Sequence, residues 1–243
     1  MEINDVFNRM DKWRHLPDWQ LERRADLSFS LYLQEVMAKR FNVTIKNTII
    51  PEFPLLKSPE KDEKQTQRTN KADYAVFSDE PVTHCYLIEL KTDMKSIDPR
   101  QFKDLEIAKE KDLFTLFSEV KKVFQSTQEK RKYVHLFKYV DDVGLVTCKF
   151  LKTQNGNKNF IKYDAWDKII QDIEIEKNPT KPTIVYIQPV PDDKKKPKPD
   201  SFKTITFTDF AEALSEHNDS FTERFCQSLT EWANVAPGEL KNW

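Results

Sequence analysis

Residues 71–93 read KADYAVFSDEPVTHCYLIELKTD, and the fold turns on how they pair. Positions 72–77 are rich in aromatic and branched side chains, Ser78-Asp79-Glu80-Pro81 interrupts them, and 83–91 resume the run, a pattern that predicts two adjacent strands joined by a turn. Side chains alternate along a strand, so Glu89 and Lys91 share a face with Cys85 and Leu87, while Tyr86, Ile88 and Leu90 face the other way. A carboxylate and an ammonium at the exit of an apolar strand are costly to bury unless they pair, bind a metal or reach a cleft. Glu89 and Lys91 are therefore candidate site residues. Asp73 opens the preceding strand. A straight antiparallel hairpin separates it from Glu89 by the strand length, whereas a bend or a long turn sets the two side by side, and the residues alone leave both arrangements open.

Asp73 followed, after an apolar run, by Glu89-Leu90-Lys91 resembles the PD-(D/E)xK nuclease superfamily, with Ala72 at the loosely kept proline position. The resemblance implies an α/β fold of the restriction-endonuclease-like kind, a mixed central β-sheet flanked by helices, with an extra C-terminal strand and helix. It implies that Asp73, Glu89 and the Leu90 backbone carbonyl hold Mg2+ or Mn2+, and that Lys91 acts on the attacking water. A helix before the first strand often lends such sites a further glutamate. Glu35 is the candidate, set between Leu31 and Tyr32 on the helical wheel and close to Ser28, and a plain surface glutamate is the competing account. Glu52, between Pro51 and Pro54, is its rival. Gln101, ten positions after Lys91, matches the start of a Gln-x-x-x-Tyr signature, although Leu105 stands at the tyrosine position. The expected function is a metal-dependent nuclease hydrolysing phosphodiester bonds, of DNA by family default. The alternatives are an inert nuclease-like module that binds nucleic acid or serves assembly, and a purely structural ion pair at Glu89.

The chain of 243 residues fits one domain, 1–243, with a core over 19–190 completed by 201–243. Charged residues make up 33% and hydrophobic ones 38%, with no run long enough for a bilayer span and no start resembling a signal peptide, so a cytoplasmic protein without a membrane partner is expected. Cys85, Cys148 and Cys226 are far apart and odd in number, which argues against a disulfide framework. Three glycines, none in a phosphate-cradling loop, exclude the nucleotide-binding fingerprints. With a net charge of −1, nucleic-acid binding has to come from a local patch, for which Lys121, Lys122, Lys130, Arg131 and Lys132 are candidates. The oligomeric state is left open, a dimer included. His15, His84, His135 and His217 show neither metal nor triad spacing.

Elsewhere, apolar spacing predicts helices over 3–13, 19–40 and, with an interruption near Glu110, 99–124, then shorter ones over 131–140 and 166–173. Strands are expected at 43–50, with Pro51 and Pro54 confining its continuation to an edge or a bend, and at 145–151, 183–190 and 202–207, with Asn155-Gly156 as a hairpin turn. Either 145–151 or 183–190 supplies the fourth strand of the sheet. The polar run 57–71 reads as a loop, and 191–200, rich in Lys and Pro, as an extended solvated linker, with phosphate contact by its four lysines beside a nuclease cleft as the competing account. A single long terminal helix, carrying Phe210, Leu214, Phe221, Phe225, Leu229 and Trp232, closes the core.

Overall fold

The computed structural model describes residues 3–16, 20–56, 69–154, 156–160, 165–191 and 198–238, with the side chains at 69, 100 and 154 excepted. In chain order it contains α1 (Ile3–Trp13), α2 (Glu22–Phe41), β1 (Ile50–Leu56), β2 (Thr69–Phe77), β3 (Cys85–Leu90), a 3-10 turn at Met94–Ser96, α3 (Pro99–Glu110), α4 (Leu113–Ser126) and α5 (Lys130–Val143). There follow β4 (Val146–Cys148), β5 (Leu151–Gln154), β6 (Asn157–Phe160), α6 (Trp166–Gln171), β7 (Ile173–Ile175), β8 (Thr183–Gln188), β9 (Lys203–Thr206), α7 (Phe207–Ala213) and α8 (Ser220–Asn234). Five strands make the principal sheet, in the order β1-β2-β3-β8-β9. It is mixed, because β1 and β2 are antiparallel whereas β8 and β9 run parallel. The protein is thus an α/β fold with a mixed sheet, as expected. No described helix is long and apolar enough to cross a membrane.

Four sequence expectations are corrected. The segment 43–50 contributes only an isolated bridge at Ile45, and the strand begins at Ile50 and carries both prolines. Proline lacks a ladder donor but is tolerated at an edge, and β1 is an edge strand, with Pro51 opposite Tyr74 and Pro54 opposite Lys71. The segment 145–151 divides between β4 and β5, which pair with β7 and β6 in two small sheets, so the fourth strand of the principal sheet is β8. Ile173, assigned to a helix by its spacing, starts β7 instead. The terminal helix is two helices, because Asp219 accepts from the Thr222 amide and starts α8 afresh. The interruption near Glu110 is present, and Asp112 caps α4 through the Thr115 amide. The loop read at 57–71 lies outside the described residues over 57–68, while β2 takes in its end.

The chain divides into two units by contact, Met1–Ile45 with Ile88–Pro99 and Ile184–Trp243, and Lys46–Leu87 with Arg100–Thr183. In the first, α2 turns Ala25, Phe29, Leu33, Val36 and Met37 inward. The Phe29 ring lies 5.3 Å from Phe207, 5.0 Å from Phe210 and 5.2 Å from Phe225. A side chain of this size contributes about 1.5–3 kcal/mol when fully buried. A reciprocal cap between Thr206 and Asp209 starts α7. The Trp232 indole donates to Asp11 at 2.8 Å, and Arg14 donates to the Val235 carbonyl at 2.8 Å, so two polar side chains of the α1 region tie it to the end of α8. In the second unit Phe53 packs edge-on against Phe117 at 5.7 Å, and Phe124 stacks with Phe137 at 5.8 Å. Cys85 and Cys148 are buried there, while Cys226, in the first unit, is half-buried.

Candidate functional site

Every residue of β3 is buried, so the strand runs through the interior of the sheet rather than along an open face. That is why the two charged groups at its end are distinctive. Glu89 is 4% exposed and Lys91 5%. The Lys91 Nζ donates to Glu89 Oε1 at 2.7 Å, the shared-face geometry that alternation predicts for positions two apart. The backbone of Lys91 is also held, its amide donating to the Ile187 carbonyl at 2.8 Å. Removing two charges from water costs several kcal/mol per ion before the pairing returns any of it. A second carboxylate approaches the same ammonium: Glu22 Oε2 lies 3.9 Å from Lys91 Nζ, with the Glu22 side chain one-third exposed. Glu22 occupies the first turn of α2, where a negative side chain is favoured by the helix dipole.

Glu22, in the first turn of the helix before the first strand, is a charged neighbour of Lys91 that the sequence reading did not single out. Glu35 is otherwise engaged, with Oε1 2.9 Å from Lys39 Nζ and Oε2 2.8 Å from His217 Nε2. Burial works to raise the Glu35 pKa, but the bonds from Lys39 and His217 outweigh it and hold the carboxyl below its ordinary range. The sequence signal for Glu22 was faint. Arg23, Arg24 and Asp26 stand close by, and a charged first turn is ordinary helix composition.

Asp73 lies within β2, the strand next to β3 in the sheet, and is half-buried. The register pairs Pro51 with Tyr74 and Phe53 with Ala72, which brackets Glu52 and Asp73. Glu52 is exposed, has a positive φ of 53° and is ion-paired with Lys71. Gln101 falls in the first turn of α3, and its Oε1 is buried without a hydrogen-bond partner. An unsatisfied buried acceptor costs about 1–3 kcal/mol, which makes this carbonyl oxygen a group awaiting a donor.

Two expectations about lysines change. Lys121 donates to the Ile173 carbonyl at 2.7 Å, Lys130 to the Phe124 carbonyl at 2.6 Å, and Lys132 pairs with Glu129 at 2.6 Å. Lys130 thus satisfies a carbonyl in the last turn of α4, as cations at helix C-termini do. Two of the five patch cations, Lys121 and Lys130, are therefore engaged by backbone carbonyls, while Lys122, Arg131 and Lys132 are exposed. In the linker, Lys198 is buried rather than solvated, donating to Gln188 at 2.6 Å and Thr204 at 2.9 Å with its Nζ 4.5 Å from the centre of the Tyr186 ring. Those contacts pin the return to β9. Residues 192–197, with the remaining linker lysines, lie outside the described residues.

The donor chemistry suits a hard divalent cation, since carboxylate and carbonyl oxygens are what such ions take. Among the described residues, no three His, Cys, Asp or Glu side chains are gathered around one point as a metal centre. Mg2+ does not need such a cage, because it keeps several waters and is commonly held by one or two carboxylates. Comparison of the chain with family models, curated proteins and solved structures finds no significant match.

Proposed function

We propose that the protein is a metal-dependent nuclease that hydrolyses phosphodiester bonds, most directly those of DNA. The observation that carries the reading is the Glu89–Lys91 pair, sealed at the end of a wholly buried strand and approached by Glu22. A fold that needs only stability has little use for that expense, because an apolar pair of similar volume is often neutral or stabilising there. In this proposal Asp73, Glu89 and the Leu90 carbonyl hold Mg2+ or Mn2+. The bound ion supplies a polarised phosphodiester and an acidified water. Lys91, as the ammonium that donates to Glu89, orients that water, gives up a proton from Nζ to the departing oxygen, and offsets negative charge as it builds on the phosphate oxygens. Glu22 helps hold Nζ in place, and Gln101 supplies an acceptor to the substrate or to water.

One observation favours a second reading, an inert nuclease-like module that binds nucleic acid or serves assembly. Lys91 is already satisfied by Glu89 at 2.7 Å, as a structural ion pair would be. Thermal unfolding against metal separates the two. Millimolar Mg2+ or Mn2+ is expected to raise the Tm of the wild type, because an ion bound only by the folded state stabilises it by mass action. Asp73→Ala is expected to abolish that rise. A wild-type Tm indifferent to both metals would count against the metal site and for the inert module.

A further inference from the structure

We propose that α2 is the contact helix of a symmetric dimer, packed antiparallel against α2 of a second copy of this chain. Leu27 and Leu31 are 71% and 62% exposed, the most exposed large hydrophobic side chains among the described residues. They are four positions apart and so share one face of α2, opposite the face that buries Phe29, Leu33 and Met37. A helix apolar on both sides is a helix with two faces to cover. The outer face continues as Arg24, Leu27, Leu31, Gln34 and Ala38, spaced three, four, three and four, which is the alternation of a coiled-coil seam with leucines at its centre.

Charge decides both the occupant and its direction. A parallel pairing sets Arg24 against Arg24 of the other copy. An antiparallel two-fold centred between Leu27 and Leu31 interleaves the four leucines and brings each Arg24 to the opposite end of the seam, where Glu35 and Gln34 stand. That end carries an open groove of about 390 Å³ lined by Gln34, Glu35, Ala38, Asn42 and Val43. Glu35 lines it, one-third exposed, with Oε1 2.9 Å from Lys39 Nζ and Oε2 2.8 Å from His217 Nε2. Its oxygens carry lone pairs beyond those used by Lys39 and His217, so an incoming guanidinium finds acceptors there. The surface is self-complementary, which is what a two-fold interface requires. A seam of fewer than three heptads buries less than the roughly 800 Å² per partner of a standard interface, so the association is expected to be concentration-dependent.

The test is sedimentation velocity of the full chain from low to high micromolar protein, with circular dichroism to verify folding. The wild type is expected to shift from monomer to dimer. Leu27→Ser/Leu31→Ser, at positions already in solvent, is expected to remain folded and monomeric throughout. Arg24→Glu is expected to weaken the dimer about tenfold or more, since it replaces an attraction by a repulsion with Glu35. A wild type that stays monomeric at the highest concentration overturns the proposal, and so does a dimer that survives the double leucine change. A monomeric wild type whose nucleic-acid affinity falls with the double change also overturns it, and assigns the face to nucleic acid instead.

Discussion

Lys91→Met is expected to reduce metal-dependent cleavage by about two to four orders of magnitude, the usual reach of a positioned proton-transfer group, while leaving the metal-induced rise in Tm in place. It also strands Glu89, 4% exposed, without its ammonium. Breaking a buried pair from one side costs about 3–5 kcal/mol. Loss of activity alone is therefore ambiguous between chemistry and folding. The double change Glu89→Leu/Lys91→Met removes the ambiguity, because it replaces both charges by apolar groups. Its unfolding midpoint is expected to return close to that of the wild type while cleavage stays abolished. Nuclease assays on linear, circular and single-stranded substrates, run beside urea titrations, give both readouts. If Lys91→Met cuts as well as wild type, Lys91 has no catalytic role.

The second large effect is on stability. Trp232 is 1% exposed, packs against Phe207 and Phe225 at 6.3 and 6.4 Å, and donates to Asp11. Trp232→Ala is expected to cost about 3–5 kcal/mol, from the apolar surface lost and the cavity left behind. Trp232→Phe keeps most of the packing and removes the indole donor, so it is expected to cost only about 1.5–3 kcal/mol, the range of a hydrogen bond to a charged group. Urea unfolding of both variants measures the difference. Equal losses for the two would mean that the Asp11 bond, and not the ring, anchors α8.

The hairpin at 71–93 was legible because strands written in apolar alternation and broken by Ser-Asp-Glu-Pro have few other ways to fold. Its Glu-x-Lys ending was legible because charge at the end of an apolar strand is conspicuous in one dimension. The interruption near Glu110 was legible as a break in the apolar stripe, and the structure assigns it to Asp112, which caps α4. Glu22 was not legible. Its distinction is a 3.9 Å approach to a residue 69 positions away, which no local pattern encodes. Lys198 misled for the opposite reason, since a lysine among prolines and lysines looks solvated until Gln188, Thr204 and Tyr186 close around it. Pro51 and Pro54 were legible as marks of an edge or a bend, and β1 is an edge strand that carries both; where it starts was not, since Ile45 and Ile49 alternate as a strand would.

Two of the three thiols give the fold a built-in clock. Burial pushes Cys85 and Cys148 far up from the ordinary thiol range and raises Cys226 as well, so the reactive thiolate is scarce in all three while the native contacts hold. At the buried Cys85 and Cys148, alkylation then waits on local opening, and its rate counts openings rather than collisions. Both report from the second unit. Cys85 is the more telling of them, since it begins the strand that Glu89 nearly ends: each time a reagent captures it, that strand has let go of its neighbours.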